Sequence, residues 1–171
     1  MDCNDINRRV RYALKLDDAD VAEILEISQY SALAQEIAGW RLKEGQEGHR
    51  DCPPSALFAM LDGLIIQRRG PRDDDKLEND KTLPSSKAAP RKDALKDALD
   101  NNHVLKQLRI ALSLRAEDVH LLIQQGGGKL GKSEVNALFR KPSARNYRRC
   151  GDQVLRWFLT GLARQRGADD S

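Results

Sequence analysis

The chain contains two copies of one pattern, and this duplication constrains its fold more than any other feature. Displaced by 98 residues, "RYALKLDDADV" (Arg11 to Val21) lies over "RIALSLRAEDV" (Arg109 to Val119). With no gap, Glu36 then meets Glu134, Lys43 meets Lys141, and "RDC" at Arg50 meets "RRC" at Arg148. "LDGLIIQR" (Leu61 to Arg68) meets "LTGLARQR" (Leu159 to Arg166). A long period present only twice means two related units, not a solenoid. Whatever fold suits one copy must also suit the other.

Between the copies runs "PRDDDKLENDKTLPSSKAAPRKDALK", from Pro71 to Lys96. It is rich in charge, Pro and Ser and poor in large apolar residues. Such a segment buries too little to offset its chain entropy and reads as a flexible linker. The expected organisation is a first helical repeat at 1–70, a linker at 71–98 and a second helical repeat at 99–167. The end of the spacer, "KDALKDALD", has the composition to begin the next helix.

Each copy reads as four helices. Ile6, Val10, Ala13 and Leu14 share one helical face, as do Val104, Leu108, Ala111 and Leu112. "DDADVAEILEI" opens with acids that suit a helix N-terminus and brings Val21, Ile24 and Leu25 together. The third helix carries Leu33, Ile37 and Trp40, against Leu130, Val135 and Leu138. The fourth starts near "PPSALF" and "GDQVLRWF", where Pro or Asp is tolerated. No alternating strand or hairpin signal stands out, so the fold class is all-α. Aromatics are only 5% of the chain, so the core must be mainly aliphatic. Arg11 and Arg109 on the first helices, with Asp20 and Asp118 at the start of the second, are read as an ion pair or cap bond joining the two. Gly63 and Gly161 interrupt the fourth helix at about 1 kcal/mol relative to Ala, and close helix approach is the expected compensation.

"LRIALSL", "ALFRKP", "YRRCGDQVLRWFLTGL" and "MLDGLIIQRRG" resemble the YehS-like family of bacterial proteins, a duplicated domain of unknown function. The resemblance covers both repeats. It implies the duplicated helical architecture and offers no catalytic residue to carry over.

Other classes are disfavoured. No apolar run approaches the roughly 18 residues of a membrane span. The N-terminus lacks the apolar stretch of a secretory signal, which suggests the cytoplasm. Cys3, Cys52 and Cys150 form neither a C-x-x-C pair nor a disulfide framework. His49, His103 and His120 are scattered, so neither a metal site nor a cofactor is indicated. Cys52 and Cys150 recur just before the fourth helix, where a dipole lowers a thiol pKa, but inert packing is favoured. The expectation is a protein without enzymatic activity.

"GGGKLGKS" (Gly126 to Ser133) satisfies G-x-x-x-x-G-K-[ST], the phosphate-binding loop of many nucleotide hydrolases. That loop must join a buried strand to a helix. "VHLLI" (Val119 to Ile123) would have to be that strand, yet its counterpart "VAEIL" lies in an amphipathic helix. A glycine-rich helix–helix joint is favoured, and the nucleotide-binding reading is kept as a remote alternative.

Charge is the remaining signal. Residues 1–70 hold 9 Lys/Arg and 12 Asp/Glu, net −3, whereas residues 99–167 hold 13 and 5, net +8. The divergence concentrates where "RLKEGQEGHRDC" (Arg41 to Cys52) is replaced by "FRKPSARNYRRC" (Phe139 to Cys150). Arg140, Lys141, Arg145, Arg148 and Arg149, with Tyr147 among them, are suited to phosphates and stacked bases. Lys129, Lys132 and Arg156 add positive charge nearby in sequence, and Phe139 and Trp157 are read as core. The order of "AEDVHLLIQQ", glycines and "KSEVNALFRK" faintly resembles a helix-turn-helix. These features suggest RNA or DNA as partner. The alternative is a protein-interaction adaptor, in which residues of the first repeat neutralise the 140–149 cluster.

Overall fold

Caps written into the sequence set where the helices start. Asp2 accepts a hydrogen bond from the Asp5 N–H (2.6 Å) and opens α1 (Cys3–Leu14). Asp17 and Asp20 each accept the other's N–H at 2.8 Å and open α2 (Asp18–Ile27). The Glu36 carboxylate holds the Leu33 N–H (2.8 Å) before α3 (Ala34–Arg41), and Pro54 begins α4 (Pro54–Arg69). In the second copy Asp100 caps α5 (Asn101–Ala111), and Asp118 takes the Arg115 N–H before α6 (Ala116–Gln125). A short α7 (Lys132–Ala137) and a long α8 (Asp152–Asp169) complete the chain. The computed structural model describes residues 1–70 and 99–169, and all of their regular structure is helical. The expected linker lies outside the described residues, as do residues 92–98 of "KDALKDALD".

The copies share their turns as well as their helices. Left-handed backbone occurs at Lys15 (φ 56°) and Ser113 (53°), at Gln29 (58°) and Gly127 (98°), and at Gly48 (84°) and Asn146 (63°). Each of these pairs is 98 residues apart. Two of the six are glycine and one is Asn, the residue types that tolerate this conformation best.

Within each repeat the second helix packs on the fourth through a glycine. A Cβ at Gly63 would lie 2.2 Å from the Ile24 carbonyl oxygen, and one at Gly161 would lie 1.8 Å from that of Leu122. Ile24 and Leu122 are themselves repeat equivalents, so one backbone-to-backbone contact is built twice.

The repeats then pack on each other reciprocally, α1 on α8 and α4 on α5. This gives the molecule an approximate two-fold axis. Across the seam the Phe58 ring stacks on His103, with centroids 5.6 Å apart. Buried residues of all eight helices form one continuous core. Val10, Val21, Ile24, Val104, Leu108, Val119 and Ile123 are fully buried, as their helical spacing predicts. Leu33 departs from the expectation, since it is the residue before α3 and is 60% exposed. Leu112 is half-buried.

The expected Arg11–Asp20 pairing is corrected. Arg11 is buried and pairs with Asp18, while its guanidinium also donates to the carbonyls of Ile37 (3.2 Å) and Leu16 (3.5 Å). Asp20 and Asp118 serve their own helix starts instead. The Asp18 counterpart is Ala116, so Arg109 has no such acid. It donates to the Leu114 carbonyl (3.2 Å) and lies over the Phe139 ring, 4.4 Å from the centroid.

Candidate nucleic-acid interface

The loop between α7 and α8 is held by one side chain. Asn102 on α5 donates to the carbonyls of Leu138 (2.8 Å) and Arg148 (2.9 Å), and its oxygen accepts the Cys150 N–H (2.7 Å). Asn4 does the same in the first repeat, donating to Trp40 (3.2 Å) and Arg50 (2.8 Å) and accepting from Cys52 (2.8 Å). Two consecutive turns follow in each loop. Ala144 N–H donates to Lys141 O and Tyr147 N–H to Ala144 O, matching Gln46 to Lys43 and His49 to Gln46. A last bond, Arg148 N–H to Ala137 O (3.1 Å), ties the loop back to α7 as Arg50 N–H ties to Gly39 O (3.2 Å). The clamp residues are among those the sequence reading missed. The available signal was an identical Asn at position 4 of one copy and 102 of the other, on a helix face that also carries core residues.

On this frame Arg140, Lys141, Arg145, Arg148 and Arg149 are all exposed. Arg140 donates to the Arg145 carbonyl (3.0 Å), which draws the two basic ends of the loop together. Arg148 pairs with Glu134. The Glu134 carboxyl is held below its ordinary range, first by the Gly131 N–H (2.8 Å) and then by Arg148. Lys132 is exposed at the start of α7, and Lys129 is exposed in the joint before it. Tyr147 is half-buried, and burial raises its phenol above the ordinary value.

One predicted site residue, Arg156, is partly buried, while Phe139 and Trp157 pack against the core as expected. Arg156 takes the place that Phe58 occupies in the first repeat, is half-buried, and its Nε is buried without a hydrogen-bond partner. Phe139 is half-buried at the core edge beneath Arg109. Trp157 is also half-buried there, and it explains the glycine run. A Cβ at Gly126 would stand 1.8 Å from the Trp157 carbonyl oxygen, and one at Gly128 would stand 2.7 Å from its ring. The equivalent pair in the first repeat is Tyr30 and Ala59, so the bulky ring has moved from the joint to the helix. Tyr30 reaches Ser55 on α4 (hydroxyl oxygens 3.4 Å apart).

The nucleotide-hydrolase alternative is overturned here. Val119 to Ile123 lie inside α6, not in a strand, and the Gly131 N–H at the start of α7 already holds the Glu134 carboxylate. Cys52 and Cys150 are buried, and burial pushes the Cys150 thiol up to about 12 and raises Cys52 as well. A reactive thiolate needs the opposite shift.

Comparison with known proteins supplies a family and no activity. The family described as "Protein of unknown function (DUF1456)" matches residues 3–70 and again 101–167. The chain is similar to "Uncharacterized protein YehS" of Escherichia coli (strain K12), with 39% identity over 160 residues, covering 94% of this chain and 93% of that protein. No solved structure matches.

Proposed function

Since the chain belongs to the DUF1456 family, whose matched description assigns no role, we propose from its own surface that it binds nucleic acid through the 139–150 loop of its second repeat. One observation carries the reading: five exposed cations stand on a loop whose one ion pair among the described residues, Arg148 to Glu134, lies within the same repeat. In the first repeat the same scaffold holds three cations and three acids, Arg41, Lys43 and Arg50 with Glu44, Glu47 and Asp51. Phosphate-backbone contacts need fixed cations on an open surface, and the Asn102 clamp supplies the fixing. Tyr147 is half-buried, which limits stacking on a base, so phosphate contacts dominate. The α6–joint–α7 segment is a loose relative of a helix-turn-helix, and no described helix is long and apolar enough to cross a membrane. RNA or DNA in the cytoplasm is the proposed partner.

A second reading has its own observation. A groove between α2 and α3 on the first repeat is lined by Ala22, Tyr30 and Leu33 together with the acids Glu26 and Glu36. It suits an adaptor in which the acidic first repeat takes a basic segment of a partner protein. Fluorescence anisotropy of the full chain with labelled single-stranded RNA and DNA at low salt tests the first reading. Saturable binding that weakens with salt is expected, and no binding at low salt overturns it.

A further inference from the structure

The seam on the two-fold axis carries a site that the loop does not touch. There the C-terminal ends of α4 and α8 meet beside the turns that follow α1 and α5, around a cleft of about 630 Å³. Its polar lining is Lys15, Arg68, Ser113, Gln165 and Arg166, over an aliphatic floor that includes Leu162. Arg68 and Arg166 are one residue of the repeat seen twice, as are Lys15 and Ser113. No acid lines the cleft among the described residues. Burial and then the nearby Arg166 both lower the proton affinity of Arg68, so the two guanidiniums repel each other. Opposed cations in a half-enclosed cleft become favourable when an anion bridges them, and the guanidinium fork matches phosphate oxygens two at a time.

We propose that this cleft binds a phosphate group, held between Arg68 and Arg166 on the two-fold axis. Each repeat contributes one arginine, so the site exists only because the chain is duplicated. It does not rest on the nucleic-acid reading of the 139–150 loop. The phosphate is either free or part of a nucleic-acid backbone. The rival explanation is that the cations only offset the negative ends of helices that terminate there.

Calorimetry and thermal unfolding of the full chain, in buffer free of phosphate and sulfate, separate these. Inorganic phosphate should bind saturably at one site per chain and raise Tm. Arg68→Gln and Arg166→Gln should each weaken that binding about tenfold or more, and the double variant should lose it. Arg140→Gln/Arg145→Gln/Arg149→Gln, which removes loop cations, should bind phosphate like the wild type. Without phosphate, either single variant should be at least as stable as the wild type, because a repulsion has gone. If a single-stranded oligonucleotide displaces the phosphate, the natural source is a nucleic-acid backbone; if it does not, the source is a free phosphate or monoester. The site is disproved if phosphate does not bind saturably, or if the double variant binds it as well as the wild type. It is equally disproved if the glutamine variants lose stability to the same degree with and without phosphate, as the helix-end explanation requires.

Discussion

The loops at 41–52 and 139–150 share a backbone and differ in charge. Both are clamped by an Asn on the first helix of the repeat, both make the same two turns, and both end in a buried Cys. Yet the first holds cations and acids in equal number and the second holds five cations and no acid. Asn4 with Asn102 and Cys52 with Cys150 agree and touch the core, and two exposed cations are also shared, Lys43 with Lys141 and Arg50 with Arg148; the excess comes from Arg140, Arg145 and Arg149 and from the loss of Glu44, Glu47 and Asp51. The positions that differ are mostly exposed. Folding therefore accounts for the frame of the loop, and the charge on it calls for a partner in solution.

The largest expected effect tests the frame itself. Gly161→Ala should destabilise by about 3 kcal/mol or more despite alanine's better helix propensity, because the added carbon meets a backbone carbonyl. Gly63→Ala should behave alike, and chemical denaturation of both variants checks whether the repeats pack by one rule. If either alanine stabilises the protein, close approach is not the reason for that glycine. Trp157→Ala should cost about 2–4 kcal/mol as a large-to-small change. Adding Gly128→Tyr should restore part of that loss by recreating the Tyr30/Ala59 arrangement of the first repeat. No recovery would mean that the two joints are not interchangeable solutions.

Next come the clamps. Asn102→Ala and Asn4→Ala should each cost about 2–3 kcal/mol, since each strands a backbone N–H and two carbonyls. Only Asn102→Ala should also weaken nucleic-acid binding. Equal losses of binding from both would detach the activity from the second loop. A smaller effect is expected at Glu134. Its depressed carboxyl stabilises the fold above its ordinary value of 4.5, and that stability is lost as pH falls through the lower folded value. The stability gap between wild type and Glu134→Gln should therefore close on acidification below pH 4.5. At neutral pH the variant should bind nucleic acid more tightly, because Arg148 is released from its partner.

The helices and much of the core were legible because the two copies constrain each other. Val21, Ile24 and Leu25 read as a buried face, as does their counterpart set, and both sets are buried. What was not legible depended on contacts distant in sequence. The glycine run at 126–128 takes its meaning from Trp157, about thirty residues further along the chain, and in isolation it matched a phosphate loop. Arg11 faced two acids two positions apart, and Asp18 is selected because Arg11 is also held by the Ile37 carbonyl of α3 while the Asp20 carboxylate is taken by the Asp17 N–H. Arg156 read as part of the basic cluster because it is near in sequence, but α8 half-buries it and leaves its Nε out of solvent. The meeting of Arg68 with Arg166 follows from the reciprocal packing of the repeats, which no local pattern encodes.

The most direct test of the central claim is to exchange the loops. Residues 139–150 of the full chain would be replaced by the sequence of 41–52, which retains the clamp and turn bonds and removes the basic excess. Binding of single-stranded RNA or DNA would then be measured from low to moderate salt. For about four phosphate contacts the wild type should give a slope of log K against log salt near −3 on single strands, at roughly −0.7 per contact. The exchanged chain should bind weakly, with a slope near zero and an unchanged unfolding transition. An exchanged chain that folds and binds with the wild-type affinity and slope would contradict the assignment of nucleic-acid binding to this loop.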